Sequence, residues 1–124
     1  GVGSYLGVHE GPQRISKAAG PVALQPGMII SNEPGYYKEG AYGIRLENLV
    51  VVQDEEIAGG DREMLSFETI TLAPFDRSMI ELSLLDGGEI RWLDGYHRWV
   101  RETLTPLLEP DVAAWLTEAT ADIG

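Results

Sequence analysis

The sequence contains no cysteine. Disulfides and thiolate metal sites are therefore excluded, and the composition fits a cytosolic protein. No apolar run approaches the roughly 20 residues that span a bilayer, so a membrane partner is not expected. Basic residues are scarce, with 9 Lys and Arg against 20 Asp and Glu, for a net charge of −11. No basic stripe is present to neutralise phosphates, which argues against nucleic acid as a partner. The imbalance is local. Residues 1–50 hold four acids (Glu10, Glu33, Glu39, Glu47) and four bases (Arg14, Lys17, Lys38, Arg45), so the whole excess lies beyond them, where it reads as solubility.

What is present suits a folded domain: 124 residues, 44% hydrophobic and 23% charged. The opening Gly1–His9 is glycine-rich, lacks a helix or strand cap and does not start with methionine, so it reads as the middle of something longer, a fragment or a processed product. Gly11-Pro12, Gly20-Pro21 and Pro26-Gly27 mark turns, with room for a short strand at Val22–Leu24. Residues 28–33 and 44–53 read as two strands of a hairpin, joined by the aromatic loop from Tyr36 to Tyr42. A further strand pair is expected at Ile57-Ala58 and Met64–Leu72, turning at Gly59-Gly60-Asp61.

From Asp76 the period becomes helical. Asp86 and Glu89 form a capping box, and Ile90, Leu93, His97, Val100 and Leu104 make an apolar stripe. His97 reads as a core or interface residue, and Trp92, Trp99 and Trp115 as packing or subunit contact. Asp94–Arg98 and Arg98–Glu102 are expected as i,i+4 pairs, and Pro110 starts a second helix. The fold class is α+β: an antiparallel sheet over residues 1–75, then a helical extension over 76–124 packed on it.

Two glutamates stand out. Glu33 ends the run Met28-Ile29-Ile30-Ser31-Asn32, and Glu47 lies in Gly43-Ile44-Arg45-Leu46-Glu47-Asn48-Leu49-Val50-Val51-Val52. Strands this apolar are normally buried on both faces, and a buried carboxylate needs a cation or hydrogen-bond donors. Alternation puts Arg45 and Glu47 on one face as a buried polar pair, with Glu33 on the adjacent strand. Two chemistries fit: an Arg45–Glu33 or Arg45–Glu47 salt bridge that fixes register, or a metal site. Two carboxylates alone do not complete a divalent-ion site, so its other ligands would come from elsewhere.

Three runs in this order, Gly1–Pro12, Asn32–Tyr37 and Gly43–Asn48, resemble the Xaa-Pro aminopeptidases (aminopeptidase P), pita-bread metallopeptidases. Phe67–Pro74 and Trp92–His97 are similar to the longer cytosolic type. The resemblance implies the C-terminal part of a pita-bread catalytic domain, from an enzyme that cleaves the Xaa-Pro bond of peptides with proline in second position. It implies two divalent metal ions, commonly manganese, in the full-length protein. It makes Glu33 a metal ligand that also acts as proton shuttle, Glu47 the carboxylate bridging both ions, and His9 a catalytic donor to the scissile carbonyl. Tyr37 and Arg45 become an outer pair that orients a metal-ligating aspartate. It also suggests a cytoplasmic homodimer. Three further expected ligands have no counterpart here, so the fragment alone is expected to be inactive, and it need hold no metal by itself. The alternative is a non-catalytic pita-bread-derived binding or dimerisation module.

Overall fold

The computed structural model describes residues 1–7, 9–18 and 20–124. They form two units, Gly1–Thr71 and Leu72–Gly124.

The first unit is built on five strands: β1 (Ile29–Asn32), β2 (Gly35–Lys38), β3 (Tyr42–Arg45), β4 (Asn48–Glu55) and β5 (Met64–Thr69). β4 is the centre of a three-stranded antiparallel sheet in the order β1-β4-β5, while β2 and β3 pair only with each other. Along β4 the side chains of Asn48, Val50 and Val52 are buried, with Leu49 and Val51 half-buried between them. Ile30 lies opposite Val50, and Ile30, Val50 and Val52 form the core with Leu24 and Met28 packed on it. Each such side chain contributes about 1.5–3 kcal/mol by leaving water. Burial is therefore complete on one face rather than on both.

The expected long hairpin is interrupted. β1 pairs with β4 from Ile29↔Val51 to Asn32↔Asn48, and the ladder resumes as β2–β3 from Gly35↔Arg45. The gap falls at Pro34, which has no amide hydrogen to donate. Across it Pro34 still accepts, from the Leu46 amide at 3.1 Å. β5 pairs with β4, Glu55↔Met64 to Val50↔Thr69, rather than with residues 57–58. Ile57 instead starts a turn closed by Gly60 N–H to Ile57 C=O at 2.8 Å, with Gly59 at φ 78°. The β4 backbone simply runs on through Gln53-Asp54-Glu55 and uses its own edge. Residues 22–24 form no strand, although Leu24 joins the core.

The second unit begins with two 3-10 turns, Arg77–Met79 and Leu82–Leu84, each capped by the preceding acid, Asp76 or Glu81, through the serine two residues on. Helix α1 spans Gly87–Leu104 and α2 spans Pro110–Ala119. The capping box is formed: Asp86 accepts from the Gly88 and Glu89 amides, and Glu89 accepts from Asp86 N–H at 2.9 Å. Asp86→Ala should cost about 1 kcal/mol, read as a lower denaturation midpoint at unchanged m-value.

Leu93, Tyr96, Val100 and Leu116 make the core of this unit, and His97 is fully buried beside them. Its Nε2 accepts from Phe75 N–H at 3.1 Å, and the Tyr96 hydroxyl donates to Ala73 C=O at 2.8 Å. The expected i,i+4 pairs are not used. Arg98 reaches Asp122 at 3.9 Å, and Asp94 accepts from the Ile123 amide at 2.8 Å. Arg77 donates to the carbonyls of Glu118 and Asp122, and Arg101 to that of Thr120. The unpaired carbonyls and negative dipole end of α2 draw Arg77 and Arg101, while Arg98 pairs with the Asp122 carboxylate just beyond it. Trp92 and Trp115 are more than half exposed, and Trp92 stacks on Tyr96 with ring centroids 5.5 Å apart.

Candidate metal centre

The gap between the two ladders is where the chemistry gathers. Glu33 follows the last residue of β1, and Glu47 precedes the first of β4. Both carboxylates turn toward one guanidinium: Arg45 Nη1 lies 3.7 Å from Glu33 Oε1 and 3.8 Å from Glu47 Oε2. The expectation of a buried pair is corrected here, because the Arg45 and Glu47 side chains keep 47% and 38% of their exposure and Glu33 keeps 26%. The reason is local. The β2–β3 hairpin is solvent-exposed along its whole length, and the glutamates lie at its root rather than within the β1–β4 ladder.

Arg45 is itself held from β2: its Nε–H donates to the Tyr37 hydroxyl at 3.0 Å. That bond, with Glu33 and Glu47 nearby, raises the guanidinium further above its ordinary value. Glu33 is held below the usual carboxylate range first by a hydrogen bond with Ser31. Partial desolvation opposes this, while Arg45 and His9 add to it. Glu33 is thus ionised at neutral pH. Ser31 was not singled out from the sequence. The signal was available: a serine two residues before a glutamate on an extended strand shares its face.

His9 stands in the exposed turn before Glu10 with φ 62°. Its segment is tied to β1 by Val2 N–H to Ile29 C=O at 3.0 Å, Glu10 N–H to Gly1 C=O at 3.1 Å, and the Gln13 amide to Ile29 C=O at 3.2 Å. The structure brings Glu33, Tyr37, Arg45 and Glu47 into contact, while His9 acts on Glu33 only through space, by its charge. Among the described residues no group of three or more His, Cys, Asp or Glu is arranged to hold a metal ion. The two carboxylates nevertheless fit a hard divalent ion in kind. Their oxygens converge on one positive charge, and their exposure leaves room for more ligands.

Comparison with known proteins decides the family. Residues 1–54 match metallopeptidase family M24, and residues 63–123 match the C-terminal region of peptidase M24. The chain belongs to metallopeptidase family M24. Aminopeptidase P1 of Lotus japonicus is 48% identical over 100% of this chain and 19% of its own length. A probable Xaa-Pro aminopeptidase P of Coprinopsis cinerea is 44% identical over 99% of this chain and 21% of its own. Among solved structures, the X-prolyl aminopeptidase of Caenorhabditis elegans, described as a cytosolic enzyme with a di-nuclear active site, matches with a TM-score of 0.81 and 36% identity. That match covers 98% of this chain and 20% of the solved one. The α+β arrangement of this M24 chain, antiparallel sheets followed by helices, is accordingly that of the C-terminal part of the pita-bread fold. The chain spans about a fifth of the length of the relatives it matches.

Proposed function

We propose that Gly1–Thr71 contributes the C-terminal half of the catalytic domain of a dinuclear metal-dependent aminopeptidase, with Leu72–Gly124 as its helical extension. Its reaction is hydrolysis of the first bond of peptides that carry proline in second position. The observation that carries this reading is the convergence of Glu33 and Glu47 on Arg45, in an M24 chain whose solved relative has a di-nuclear site.

Glu33 and Glu47 would hold the ions, with Glu47 shared between them and manganese as the metal. Bound ions supply Lewis acidity toward the scissile carbonyl and make water a better nucleophile. The protein's own groups then divide the proton work. Glu33, ionised at neutral pH, accepts the proton of the attacking water and returns it to the leaving proline nitrogen. His9 donates a hydrogen bond to the carbonyl oxygen as negative charge grows there. Tyr37 and Arg45 fix the direction of the carboxylates and of a further aspartate ligand. The 124 residues by themselves would not turn over substrate, because two carboxylates do not complete the coordination. The cytosolic description of the solved relative supports action in the cytoplasm, and the exposed Trp92 and Trp115 suit a homodimer contact.

A second reading is a non-catalytic binding or dimerisation module in which Arg45 alone pairs with both acids; the 3.7 and 3.8 Å contacts favour it. Manganese titration separates the two. The full chain, meaning the full-length protein that contains these residues, is expected to bind ion and release the N-terminal amino acid from an Xaa-Pro peptide, while leaving the matching Xaa-Ala peptide intact. No ion binding and no hydrolysis by the full chain would leave the module standing. A tight stoichiometric site in residues 1–124 alone would contradict the incomplete ligand set.

A further inference from the structure

Two kinds of glycine stand out among the turns and strands of the first unit. Gly27, Gly40 and Gly59 have positive φ and open space around them, so their backbone conformation demands glycine. Gly35 and Gly43 have no such conformation, yet neither has room for a side chain. A Cβ on Gly43 would lie 2.7 Å from Tyr37 Cδ1, and one on Gly35 would lie 2.6 Å from the Tyr37 hydroxyl oxygen. The register explains this. Gly35 is paired with Arg45 and Tyr37 with Gly43, so these four share one face of the hairpin. That face carries two side chains on one diagonal and two glycines on the other. The Tyr37 ring lies down across the bare positions, and its hydroxyl meets Arg45 Nε at 3.0 Å.

We propose that Gly43, assisted by Gly35, is a positioning residue: its missing side chain lets Tyr37 lie flat and hold Arg45 where Glu33 and Glu47 converge. A methyl group at Gly43 lifts the ring at its base, and the hydroxyl at its far end moves away from Arg45. Arg45 then loses its anchor on β2 and no longer fixes the spacing of the two carboxylates. The consequence for metal rests on the reading of Glu33 and Glu47 given above; the consequence for Arg45 does not.

The test uses the full chain as Gly43→Ala, Tyr37→Ala, the double variant and Glu47→Gln. Manganese affinity is measured by calorimetry, and the Arg45 Nε–H resonance is followed in protein with 15N-labelled arginine. Gly43→Ala is expected to weaken ion binding about tenfold, as loss of an outer partner does, and to speed exchange of the Arg45 Nε proton. In the Tyr37→Ala background the same change should have no further effect, because the ring it displaces is gone. Equal losses with and without the Tyr37 ring, or an unchanged Arg45 resonance in Gly43→Ala, would overturn the proposal. If Glu47→Gln leaves ion binding intact, the assignment of the carboxylates fails, and the Arg45 resonance still decides whether Gly43 positions Tyr37.

Discussion

Glu47→Ala in the full chain is expected to remove bound metal and peptidase activity together, while leaving the fold in place. Glu47 belongs to no ladder pair; it occupies the position before Asn48, where β4 begins. Its carboxylate is more than one-third exposed and meets Arg45 at 3.8 Å, so its removal opens no cavity and strands no deeply buried charge. Stability should change by no more than about 1 kcal/mol. Ion affinity should fall by more than about a hundredfold, since even an outer partner costs about 10–100-fold, and turnover should fall with it. Metal analysis of the purified variant, a peptide-cleavage assay and a thermal melt give the three readings. Retained metal with full turnover would remove Glu47 from the site.

The second large effect concerns His97, which is fully buried in the helical unit. His97→Ala leaves a void and an unpaired Phe75 amide, and should cost about 2–4 kcal/mol. The same burial makes this unit pH-sensitive. Desolvation first, then Arg77 and Arg101, push the imidazole below its ordinary 6.5, with Asp94 opposing. Above pH 6.5 the ring is neutral in both folded and unfolded chains, and its full contribution is present. As pH falls below that value the unfolded chain takes up the proton first, so stability declines until the folded value is passed. Protonation at Nε2 would also put a donor where Phe75 N–H now donates. Denaturation midpoints between pH 5 and 7 should therefore drop with acidification in the native chain. In His97→Gln, which keeps an acceptor and does not titrate in this range, the drop should be smaller. An identical slope in both would show that His97 does not govern it.

The helical unit was the more legible part of the sequence. Helical signals are local, so the Asp86–Glu89 box and the stripe through His97 fix both the start of α1 and its buried face. Partners outside the helix were not legible. Arg98 turns to the Asp122 carboxylate, which lies just past the end of another helix and competes with its own neighbours. The strand region was legible in content but less so in pairing. Alternation put Arg45 and Glu47 on one side, and the structure joins them, with Glu33, within salt-bridge reach. Neither the break at Pro34 nor the use of β4 by β5 follows from the apolar pattern, since both depend on which backbone groups remain available for pairing. The half-exposed state of the carboxylates has the same origin: an apolar run shows which residues prefer burial, not how much sheet is there to bury them.

The break at Pro34 also separates what can slide from what cannot. A one-residue slip in an antiparallel pair turns every side chain to the opposite face. In the larger sheet Ile30, Val50 and Val52 oppose such a slip, and Glu33 and Glu47 are fastened to its strands. Tyr37 and Arg45 ride on the small arm beyond the proline. A displacement of that arm carries the guanidinium away from two acids whose backbone stays with the sheet, so a spectroscopic label at Glu39, near the arm's tip, would report the loss of the contact that sets their spacing.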